Sequence, residues 1–122
     1  MDEETEQMKA LAELTDVAFQ RASAPLVEFA RREAELRAAL AALTPSSAWL
    51  GAEDVPEDAK TMARQTGADF MWDRWAARKK SELNMALARV LAEKASVEAR
   101  ARRAFGRDQV VRQIVEDLAK KS

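Results

Sequence analysis

Stepping by alternating four and three residues from Met8 meets Met8, Ala12, Thr15, Phe19, Ala22, Leu26, Phe29, Glu33, Leu36, Leu40 and Leu43. Only Thr15 and Glu33 are not apolar. The step averages about 3.5 residues, the period of a left-handed coiled-coil seam. Downstream the same count gives Leu83, Leu87, Val90, Lys94, Val97, Ala101, Ala104, Asp108, Val111, Val115 and Leu118, with only Lys94 and Asp108 polar. A strand alternates with period two, so a repeat sustained over this length commits both segments to helix.

The punctuation agrees. The chain has only three glycines and three prolines, too few turns for a sandwich, a barrel or a βαβ fold. Thr44-Pro45-Ser46-Ser47 is turn chemistry, with Gly51 and Pro56 following. Asp54 stands three residues before Glu57, with Pro56 between them, the pattern of a capped helix start. The expected fold is all-α: an antiparallel two-helix coiled-coil hairpin forming one domain over 1–122. Its first helix runs over about 5–43, its connection over 44–55, and its longer second helix over about 56–119. Pro25 keeps the stripe in phase, since Ala22 and Phe29 remain one heptad apart, and is read as a kink within a continuous helix. Gly67 and Gly106 are weak points of the second helix.

Two helices of about 40 and 60 residues measure about 60 and 90 Å. A short connection makes them neighbours, so about the last 20 residues of the second helix are expected to lack a partner on the first. That overhang carries Val111, Val115 and Leu118, whose apolar face calls for another surface. Just before it stand Arg100, Arg102, Arg103 and Arg107. These seven residues form one candidate partner-binding site. The acidic amino end, with Asp2, Glu3, Glu4, Glu6, Glu13 and Asp16, suits the basic stretch that runs from Arg74 to Arg107 in two ways. Either the two ends complement each other within the hairpin, or the arginines dock an acidic partner.

Phe70, Met71, Trp72 and Trp75 concentrate much of the large apolar area. Trp72 and Trp75 share a helix side that Phe70 does not. The connection around Trp49 and Leu50 covers one side, or Trp72 and Trp75 anchor a partner, aromatic residues being enriched at interface hot spots.

Composition closes most chemistry. The chain has no cysteine and no histidine. Thiolate metal sites, thiol nucleophiles, the usual general base and the commonest zinc ligand are therefore excluded. The three glycines are far apart and build no phosphate loop. No catalytic residue, metal or cofactor is expected. The net charge is -1 and no aromatic residue interleaves the arginines between Arg89 and Arg103. Neither feature favours a nucleic-acid partner. The acidic start lacks a signal-peptide pattern, and no apolar run approaches a membrane span. A cytoplasmic location is the expectation.

The stretches Trp75-Ala76-Ala77-Arg78-Lys79-Lys80-Ser81-Glu82-Leu83-Asn84 and Ala99-Arg100-Ala101-Arg102-Arg103-Ala104-Phe105-Gly106-Arg107, set in an antiparallel coiled coil with a basic second helix, resemble the flagellar FliJ export family. The resemblance implies a stalk component of flagellar protein export, a type III secretion process. It would engage a ring-shaped export ATPase and hydrolyse nothing itself. The alternative is a homodimeric helical-bundle adaptor or scaffold with no export role.

Overall fold

The computed structural model describes residues 2–121. The described residues form five helices and no strand: α1 (Glu3–Ser23), α2 (Leu26–Ala41), α3 (Ser46–Leu50), α4 (Glu57–Thr66) and α5 (Ala68–Lys121). The fold is all-α. The stripes read from the sequence are its inward positions. All twenty-two are buried or half-buried, including the polar exceptions Thr15, Glu33, Lys94 and Asp108. Few are fully covered, however. Ala101, Ala104 and Val111 are the buried apolar residues, because a layer of paired helices has no second layer to close over its seam.

Each expected long helix is divided. At Pro25 the ladder loses a donor, and α1 ends at Ser23 while α2 begins at Leu26. Ala24 nevertheless keeps right-handed helical dihedrals (φ -54°, ψ -41°) and bonds back to the Gln20 carbonyl. Gly67 makes the second division. It sits at φ 76°, ψ 12°, the left-handed region, where it ends α4 and donates its N–H to the Arg64 carbonyl. A residue with a Cβ adopts that conformation only at a cost. The expected helix over 56–119 is therefore two helices, α4 and α5. The connection expected over 44–55 contains α3. Asp54 is not the cap of α4: that position is Pro56, whose carbonyl accepts from the Lys60 amide at 3.1 Å.

Packing groups the chain into two compact units. Unit 1 runs to Arg31 and resumes at Leu91; unit 2 comprises Arg32–Val90. In unit 1, α1 lies antiparallel to the last third of α5. The Thr15 hydroxyl donates to Asp108 Oδ1 at 2.8 Å. Phe19 meets Phe105 edge-on with ring centroids 5.3 Å apart. Arg112 bridges Asp108 at 2.8 Å and Asp16 at 3.1 Å. At the start of α1 the Asp2 carboxylate accepts the Thr5 amide at 2.8 Å. Hydrogen bonds from the Thr5 side chain and backbone hold the Asp2 carboxyl below its usual value.

In unit 2, α5 supports the turn between α2 and α3. The Trp72 indole N–H donates to the Thr44 carbonyl at 2.8 Å. The Asp73 carboxylate accepts from the Ser46 amide at 2.7 Å and from its hydroxyl at 2.5 Å. Pro45 offers no side-chain cap to α3, so Asp73 supplies from α5 the acceptor that the first turn lacks. Within α4 the Lys60 side chain, only 7 % exposed, pairs with Glu57 at 3.2 Å.

Candidate partner-binding faces

The carboxyl-terminal stripe is not an overhang. The antiparallel pairs Thr15–Asp108 and Phe19–Phe105 bring Val115 and Leu118 level with the first turns of α1. Val111 is 8 % exposed, and Val115 and Leu118 are half-buried. The length estimate failed because it treated 5–43 and 56–119 as two uninterrupted helices paired from the connection outward. Gly67 removes α4 from the second helix, and the first part of α5 is engaged in unit 2 with the turn at Thr44–Ser46. The three apolar residues of that candidate site thus face inward.

The four arginines stand outside it. Arg100, Arg102, Arg103 and Arg107 are exposed, and Arg100 donates to the Ser96 hydroxyl at 3.3 Å. The amino-terminal acidic segment is tied to α5 elsewhere: Asp16 pairs with Arg112, which is outside the expected basic stretch.

The tryptophans separate into support and surface. Trp72 is half-buried and its ring nitrogen is engaged by Thr44. The connection therefore reaches this aromatic group at Trp72, through Thr44 rather than through Trp49 or Leu50, while Ser46 bonds to the neighbouring Asp73. Trp75 packs against Trp72, with centroids 5.2 Å apart and planes inclined by 37°, yet remains 44 % exposed. Phe70 and Met71 are 64 % and 68 % exposed. Phe70, Met71, Arg74 and Arg78 project from the side of α5 away from Trp72, Ala76 and Leu83, and Trp75, about 60° round the helix from Trp72, stands at the edge of that side. The Arg74 guanidinium stands 5.9 Å from the Phe70 ring centre, a cation–π arrangement. Sequence reasoning found this cluster from its composition. It did not resolve that Phe70 and Met71 form the exposed part while Trp72 holds Trp75 in place.

The Ser46 hydroxyl and then its amide hold the Asp73 carboxyl below its usual value. This is the chemistry of a cap: a carboxylate accepting donors, with no reacting group beside it. Among the described residues, no cluster of three or more carboxylates is arranged to hold a metal ion. No helix among them is long and apolar enough to cross a membrane. No protein-family model, no curated protein and no solved structure matches the chain.

Proposed function

We propose that the chain is a non-catalytic helical adaptor that binds a protein partner through the outward face of α5 in unit 2. The observation that carries this reading is the exposure of Phe70, Met71 and Trp75 together, beside Arg74 and Arg78. Scattered exposed apolar residues need no explanation, but three within six positions on one helix do. Tryptophan and arginine are the side chains that dominate interface energetics, and methionine adapts to irregular partners. The basic flank suits an acidic amphipathic segment: the apolar ridge supplies affinity and the guanidinium groups orient approach. Affinity capture from the source cell with the intact chain and with Met71→Ala plus Trp75→Ala tests this. One protein retained by the former and lost by the latter, at unchanged helical content, is the expected result. An identical set of captured proteins overturns the reading.

The antiparallel pairing of α1 on α5 favours a second reading, the stalk of a flagellar export apparatus. That reading rests on the resemblance carried by the stretches from Trp75 and from Ala99, and its shaft is the two-helix hairpin read from the stripes. Its test is direct. A purified ring-shaped export ATPase should bind the chain, and its hydrolysis rate should change on binding. An unaltered rate with no complex formed removes the export role and leaves the adaptor.

A further inference from the structure

The seam of unit 1 divides its surface into two flanks, and the order of residues shows what each carries. In an antiparallel pair, residues that follow a seam position on either helix lie on one flank, and residues that precede one lie on the other. Asp16 follows Thr15 and Arg112 follows Val111; they meet at 3.1 Å and close the first flank. Leu11 precedes Ala12, Leu14 precedes Thr15, Val110 precedes Val111 and Ile114 precedes Val115. These four lie together on the second flank, and they are 40 %, 66 %, 60 % and 39 % exposed. The notch left by Gly106, with nothing within 4 Å of where a Cβ would stand, adjoins Val110.

We propose that this flank is the docking surface for a second copy of the chain, related by a two-fold axis through the Leu11, Leu14, Val110 and Ile114 patch. The distribution of charge selects a second copy. By the same rule Arg21, Arg100, Arg103 and Arg107 lie on this flank toward one end of the patch, and Glu4, Asp117 and Lys121 lie toward the other, so one end is strongly basic and the other net acidic. All seven are exposed. A two-fold rotation about the apolar centre brings the basic end of each copy over the acidic end of its partner, the self-complementarity that an isologous interface demands. Pairing two helical layers along this flank gives a four-helix arrangement with the apolar residues inside. This inference is independent of the outward face of α5 in unit 2.

Sedimentation equilibrium of the full chain over a dilution series tests it. The intact chain should reach twice its monomer mass. Leu14→Asp with Val110→Asp should hold it at the monomer mass with helical circular dichroism retained. Arg103→Glu with Arg107→Glu should weaken association at least tenfold, and adding Glu4→Lys with Asp117→Lys to the same chain should restore it. An intact chain that stays monomeric throughout overturns the proposal. So does an assembly unmoved by both the aspartate and the glutamate substitutions. Should the aspartate pair unfold the chain, the charge reversal and its rescue, which touch no apolar residue, decide the matter. Loss of association with partner capture intact separates this face from the aromatic one. Loss of capture with association intact overturns only the adaptor reading.

Discussion

The Thr15 hydroxyl lies 2.8 Å from a carboxylate oxygen of Asp108, 93 residues further along the chain. Each is a polar exception in its own apolar stripe, and the fold sets them against each other. Asp108 has a side chain only 3 % exposed, and a buried carboxylate is tolerated only when its oxygens are satisfied. Thr15 serves one oxygen and Arg112 the other. Sliding α1 by one heptad would replace Thr15 with Met8 or Ala22, neither of which can donate from its side chain. The pair therefore specifies register, as single polar seam residues do in coiled coils.

Thr15→Val is expected to destabilise the chain by about 1–3 kcal/mol, the cost of leaving a buried acceptor unpaired. Asp108→Ala should also destabilise it. The double variant should lose less than the two single losses combined, because each removes the same bond. Urea denaturation of the four proteins measures this coupling, and strict additivity would count against it.

Glycine-to-alanine substitution should have opposite signs at Gly67 and Gly106. Gly67 has a positive φ of 76° and open space around it, so the cost there is conformational, about 1–2 kcal/mol. Gly106 lies inside α5, also with open space. Alanine there should stabilise by about 0.5–1 kcal/mol through helix propensity. Thermal melts of both variants check the contrast.

The Asp73 carboxyl gives unit 2 an acid limb. Its ordinary value of 3.8 is lowered by the hydrogen bonds from Ser46. The folded chain therefore holds the charged form more strongly than the unfolded chain does. The resulting stabilisation is complete above the unfolded value and fades as pH falls through the lower, folded one. Asp73→Asn should flatten this limb, and Ser46→Ala should reduce it. Tryptophan emission followed through acid titration reads the change, because Trp72 and Trp75 adjoin the cap.

Trp72→Phe retains an aromatic ring but removes the donor to the Thr44 carbonyl. A net loss of about 0.5–1.5 kcal/mol is expected. It should fall on the connection, where limited proteolysis near Thr44–Gly51 should speed up while helical circular dichroism stays the same. Unchanged cleavage would mean that Asp73 alone holds the turn.

Much of this protein was legible as periodicity. The positions from Met8 to Leu43 and from Leu83 to Leu118 are the inward ones because residues three and four apart must share a helix face, whatever the partner. The absence of histidine and cysteine likewise needs no structure to be read. Where a helix ends inside a periodic stretch is less local. Glycine within a helix costs only about 1 kcal/mol, so Gly67 could have continued the ladder. Instead it takes a left-handed turn that ends α4, and its carbonyl accepts the Met71 amide to begin α5, a choice that periodicity does not contain.

The candidate faces depended still more on tertiary structure. Val111, Val115 and Leu118 read as an unpartnered stripe because composition contains no register. Register arises when Thr15 meets Asp108 and Phe19 meets Phe105, and it carries α1 over that stripe. The exposed residues Leu11, Leu14, Val110 and Ile114 stand beside the stripes and interrupt no pattern. A stripe records which side of each helix turns inward. Only the pairing of two helices decides which of the remaining apolar residues end up together on the surface.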